Sequence, residues 1–189
     1  GYLRYAEQGL QEPKEFYRVA VDCFQPSNYV MELGKFDQSR WDELRIVPKP
    51  RCVGGRFVIY ADVSEKYRAW FNLGQSQDNL RDLGPVIYRS RNDEKSIYEQ
   101  LENAWLLVTP GSNASVDAIL YGVPVVVTGE SCISLPITST TIPDYDGEIY
   151  FPSDETRYQW LCGLAWCQFT LEELSTKFAW HHLTRRLES

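Results

Sequence analysis

Three short stretches carry the side chains that could do chemistry in this chain. Asp62 to Lys66 (DVSEK) offers Ser64 and Lys66. Arg89 to Arg91 (RSR) offers a pair of guanidinium groups, and Thr109 to Asp117 (TPGSNASVD) offers Thr109, Gly111, Ser112, Asn113, Ser115 and Asp117. Guanidinium groups grip phosphate through paired hydrogen bonds. A glycine allows close backbone approach, and free N–H groups at a helix start favour an anion. Ser112, Asn113 and Ser115 add hydroxyl and amide donors, and Thr109 sits on the approach. Asp117, one turn into the helix, is placed to accept hydrogen bonds from a ribose or sugar hydroxyl. The ligand that suits such a set bears both phosphate and hydroxyl groups. A plainer reading is that Ser112 and Asn113 only cap the helix, that Asp117 only complements its dipole, and that the cations are solvated surface charge.

The elements that must position these residues are legible as apolar runs. Trp105 to Val108 and Val125 to Val127 read as strands buried on both faces. Between them Val116, Ile119 and Leu120 give a helix its apolar face, and Gly122 fits the left-handed position past its end. Arg56 to Ala61 and Pro85 to Tyr88 read as two earlier strands, with helices over Glu65 to Phe71 and Ser96 to Ala104. The alternation of strand and helix from Arg56 to Val127 predicts an α/β fold with a parallel sheet and right-handed crossovers. All three stretches then fall at the carboxyl edge of the sheet, where open α/β sheets bind ligands.

The flanks are less regular. Residues 1–14 read as a polar tail or linker. Phe16 to Phe24 alternates as a strand does, and the chain from there to Pro50 is irregular, with a short helix near Ser39 to Leu44. After Thr128 comes a long loop of the kind that is functional or mobile. Ser153 to Phe169 reads as an aromatic-rich helix. Thr170 and Glu173 form a capping box for another helix, and Ala179 to Leu187 is a terminal helix.

With 189 residues the chain can bury a substantial core. Its net charge of −7 opposes non-specific attraction to nucleic acid. No apolar run is long enough to span a bilayer, so no membrane partner is expected. Five widely spaced cysteines without a C-x-x-C pair predict reduced thiols and a cytoplasmic location. No metal motif is present, so no metal site is expected. His181 and His182 are adjacent and point apart on a helix, which predicts a structural or surface role. There is no P-loop, no G-x-G-x-x-G after a strand and no G-x-S-x-G elbow, which argues against the enzyme classes built on them.

The segment GSNASVDAILYGVPVVV resembles the donor-site segment of glycosyltransferases with the GT-B fold. More broadly, FYRVAVDCFQP, SEKYRAWFNLG, PVIYRSRN and QWLCGLAWCQFTLEEL are similar to the C-terminal part of a glycosyltransferase-like family common in bacteriophages and prophages. The resemblance implies a Rossmann-like sheet with helices on both faces, one half of a GT-B protein, followed by a helical C-terminal segment. It implies a nucleotide-sugar as donor substrate and no further cofactor. Gly111, Ser112 and Asn113 would lie near the diphosphate, Asp117 would face the ribose or sugar, and Arg89 and Arg91 would meet phosphate. Residues 1–55 would then be a remnant of, or linker to, a missing N-terminal acceptor domain, and residues 56–189 the nucleotide-sugar-binding domain. Because the chain starts at Gly1 without an initiator Met, it is expected to be a fragment, a processed product or a tagged chain. The catalytic base belongs to that missing half in such proteins, so none is assigned. The acceptors open to it are a modified base of phage DNA, a polysaccharide or a small molecule, and the setting is the cytoplasm, that of the host if phage-encoded. Two other readings stand beside transfer: a non-catalytic nucleotide- or protein-binding module derived from a GT-B half, and a nucleotide-sugar epimerase.

Overall fold

Continuous apolar runs become the strands of one parallel sheet. The computed structural model describes residues 16–35, 37–74, 78–90, 93, 95–143 and 148–185. Within it, β2 (Phe57–Ala61), β3 (Val86–Arg89), β4 (Ala104–Thr109) and β5 (Val125–Val127) lie in the order β3-β2-β4-β5, all parallel. This is a Rossmann-like α/β fold, its sheet flanked by helices. Alternate side chains of a strand point to opposite faces, and both faces are buried here. Val58, Tyr60, Leu106, Val108 and Val126 share one face with Leu80 and Leu83, which a 3-10 helix over Asp78–Leu83 supplies. Ile59, Leu107 and Val125, in register on the other face, are buried as well.

The crossover helices are short and are started by serine hydroxyls. In α3 (Glu65–Trp70) Ser64 Oγ accepts the Tyr67 N–H, and in α4 (Ile97–Leu101) Ser96 Oγ accepts the Tyr98 N–H. The second ends three residues before the expected Ala104, because Ala104 is already the first residue of β4. The third crossover, α5 (Ala114–Leu120), ends at Gly122, whose φ of 78° is the left-handed conformation expected there. After β5 the long loop packs against the sheet. Ser139 bridges Val126 in parallel, and Cys132, Ile133 and Ile137 are fully buried.

Contacts divide the chain into two compact units, Val47–Ser153 and Gly1–Ile46 together with Asp154–Ser189. By contacts the C-terminal helices group with the segment before Val47, whereas the sequence reading divides the chain into 1–55 and 56–189. In this second unit α1 (Val30–Leu33) and α2 (Ser39–Asp42) pack on α6 (Asp154–Ala165). Gly34 and Gly163 let α1 and α6 touch through backbone, since a Cβ on either would collide with a carbonyl oxygen of the other segment. Of the expected strand Phe16 to Phe24, Tyr17–Arg18 (β1) runs antiparallel to Gln168–Phe169 (β6), and Val19 N–H adds one bond to the Cys167 carbonyl at 2.8 Å. Beyond it Val21 N–H turns to the Tyr29 hydroxyl at 2.9 Å, and Asp22 takes a left-handed φ of 57°. The helix expected to reach Phe169 stops at Ala165, where Trp166 and Cys167 turn the chain into β6. Thr170 and Glu173 form the predicted capping box of α7 (Leu171–Ser175). Glu173 also makes a two-pronged ion pair with Arg40, which lies against the rings of Trp166 and Phe169. The last helix, α8, is Phe178–Thr184. The tail expected over residues 1–14 lies outside the described residues.

Candidate functional site

The sheet reverses its strand order between β2 and β4, because the chain leaves β2 for β3 on one side and returns to β4 on the other. At such a switch point the loops after the two strands part and leave a crevice at the carboxyl ends. Here those loops begin at Asp62 and Pro110.

Thr109 joins the two strand ends. It has no exposed surface; its Oγ1 donates to the Ala61 carbonyl at 2.7 Å and accepts the N–H groups of Gly111 at 3.2 Å and Ser112 at 2.8 Å. The expectation that Thr109 stands on a ligand's approach is thereby corrected. So is the expectation of a free peptide-amide cradle at Gly111 and Ser112, since both N–H groups already have an acceptor inside the protein. Ser112 Oγ in turn accepts the Ala114 N–H at 3.3 Å, while exposed Asn113 makes no capping bond through its side chain.

The remaining predicted residues have partners or placements of their own. Ser115 is buried and faces the interior, its Oγ 3.5 Å from Cys132 Sγ, which lies 3.2 Å from Ser134 Oγ. Asp117, only 9% exposed, accepts a 2.7 Å bond from the Tyr98 hydroxyl. Arg89 donates to Lys95 O at 2.8 Å and Gln100 Oε1 at 2.9 Å, so its guanidinium fastens the start of α4. Ser64 and Lys66 are exposed at the first turn of α3. Arg91 lies outside the described residues. Thr109, Gly111 and Ser112 are thus brought into one bonded loop, while Arg89 and Asp117 are each engaged by a residue of α4.

Sequence reasoning missed Tyr67. Its hydroxyl donates to the Ser131 carbonyl in the loop after β5, and a methyl group on Gly111 would run into that same hydroxyl. The close approach that Gly111 permits is therefore made by the protein's own phenol. Burial foremost, and then the neighbouring Cys132 sulfur, push the Tyr67 pKa up to about 12, so the phenol is a proton donor at neutral pH. Asp62 pairs with Arg68, which also reaches the Gly74 carbonyl at 3.0 Å, and this holds α3 over the end of β2. The only sequence signal for Tyr67 is its place three residues after the capping serine, which puts it on the first turn of a helix that starts at the switch point.

In the other unit His182 stacks on Trp166 with ring centroids 4.2 Å apart, and burial foremost lowers its pKa to about 4. The five cysteines form no disulfide. Among the described residues no group of three or more His, Cys, Asp or Glu is arranged to hold a metal ion, and no helix is long and apolar enough to cross a membrane. Compared with family models, with curated proteins and with solved structures, the chain finds no match in any of the three.

Proposed function

We propose that this chain is the donor-binding half of a glycosyltransferase-like protein, which takes a nucleotide-sugar at the crevice between β2 and β4. The observation that carries the reading is the reversal of strand order there, with a Gly-Ser-Asn loop opening a helix on one side and the Ser64 turn on the other. The grip differs from an amide cradle. Ser64 and Ser112 each accept a backbone N–H, so each keeps its own proton for a further acceptor. Exposed Lys66 adds positive charge. Departing diphosphate charge would be stabilised by these donors. The acceptor, whether a modified phage DNA base, a polysaccharide or a small molecule, is left to a second domain, and the cytoplasm is the proposed setting.

A second reading is favoured by a specific observation. Thr109 occupies the Gly111 and Ser112 N–H groups and Tyr67 covers Gly111, which suits a module that holds a nucleotide or a protein without turnover. The test is to titrate the chain with a panel of nucleotide-sugars by calorimetry while following free nucleotide. Binding that weakens in Ser64→Ala and Ser112→Ala, with nucleotide released, supports transfer. Binding without release supports the module, and sugar isomerisation with no acceptor present supports an epimerase. Absence of binding at millimolar nucleotide-sugar refutes the site.

A further inference from the structure

The loops at the carboxyl ends of three strands meet at one side chain. Tyr67 stands on the first turn of α3, after β2; its phenol lies over Gly111, after β4; its hydroxyl bonds Ser131, after β5. On its other side the ring packs on Phe71, with centroids 4.6 Å apart. A ligand entering the crevice therefore meets a phenol where the glycine would otherwise be open. The surroundings favour movement of this side chain over movement of the backbone beneath it. Asp62 and Arg68 hold α3 in place, and Thr109 holds the Gly111 loop, whereas Glu65, Lys66, Ala69 and Trp70 leave the outer face of α3 in solvent.

We propose that Tyr67 is an affinity-determining cover of the nucleotide site, displaced when a hydroxylated, phosphate-bearing ligand binds. The inference rests on the nucleotide-sugar reading above. In the covered state the phenol satisfies the Ser131 carbonyl. In the liganded state a ribose or sugar hydroxyl takes over that bond, and the phenol turns outward. A ligand's apparent Kd is its intrinsic Kd divided by the fraction of molecules in the competent state, so loosening the cover tightens binding with no new contact.

The experiment compares the full chain with Tyr67→Phe and Tyr67→Ala by calorimetry. The probes are uridine, cytidine, guanosine and adenosine diphosphate, with inorganic pyrophosphate as the arm that lacks base and sugar. Tyr67→Phe keeps the ring but loses the tether, and a net hydrogen bond of ordinary strength corresponds to about fivefold tighter binding. Tyr67→Ala removes the ring as well and is expected to bind tighter still. A nucleoside diphosphate should gain more than pyrophosphate, because only the nucleoside, whose ribose reaches the Ser131 carbonyl, has to displace the phenol. If the wild-type chain binds and Tyr67→Phe binds equally or more weakly, the cover is refuted while the nucleotide site stands. If none of the three proteins binds any probe, both are refuted. Should Tyr67→Ala lose its folded transition, Tyr67→Phe alone decides.

Discussion

Replacing Thr109 with valine keeps the shape of the side chain and removes its hydroxyl. That hydroxyl makes three hydrogen bonds: one donated to Ala61 and two accepted from Gly111 and Ser112. Ala61 and Gly111 are buried, so their carbonyl and N–H lose their partner with little access to water; half-buried Ser112 can be rehydrated. A buried polar group left unpaired costs about 1–3 kcal/mol. Taking the lower half of that range for the two buried groups, and little for Ser112, the expected loss for Thr109→Val is about 3 kcal/mol. Thr109→Ser keeps the hydroxyl and deletes one buried methyl group, at about 1 kcal/mol. Urea unfolding followed by circular dichroism measures both, as shifts in midpoint at unchanged slope. Two results would refute the reasoning: Thr109→Val within about 0.5 kcal/mol of the wild type, the size of an ordinary surface change, or Thr109→Ser as costly as Thr109→Val.

Two other predictions concern the helical unit. Gly163→Ala should destabilise by about 2 kcal/mol, although alanine is the better helix former by about 1 kcal/mol, because its methyl would meet the Val30 carbonyl and overpack the crossing. Thermal melting checks this, and an equal or higher midpoint would remove the case for backbone contact between α1 and α6. The pKa of His182 is lowered to about 4 in the folded chain against an ordinary value of 6.5. Between those values the unfolded chain binds a proton that the folded chain refuses, so stability is fully present above pH 6.5 and falls as pH drops towards 4. His182→Phe keeps a ring on Trp166 and should flatten the melting temperature across that window; an unchanged slope would refute the assignment.

The sheet was legible because strands buried on both faces leave no polar residue to blur the run, as in Val58 to Ala61 and Leu106 to Val108. Of the short helices in the second unit, the one near Ser39 was legible and Val30–Leu33 was not. Val30–Leu33 and Ser39–Asp42 are each four residues, too few to show a period, and their conformation is set by packing against a helix more than a hundred residues further on. Phe16 to Phe24 shows the opposite failure: its alternation is real, but a strand needs a partner, and beyond Val19 the segment bonds elsewhere. At the candidate site the residue types were legible and their allegiances were not. Thr109, Ser115 and Asp117 carry groups a ligand could use, yet each is buried and bonded within the protein. Nothing in a linear sequence says that Tyr98 will claim Asp117 or that Tyr67 will close over Gly111.

The interrupted layout of the helical unit has a consequence for synthesis. A ribosome finishes all of Val47–Ser153 when, of the other unit's described elements, those up to α2 have emerged and α6 to α8 have not. Helices of four residues do not persist alone in water, so this segment waits unfolded until α6 supplies Gly163 for Gly34 and α7 supplies Glu173 for Arg40. The α/β unit, contiguous in the chain, can close first, and residues made after it rescue the segment made before it.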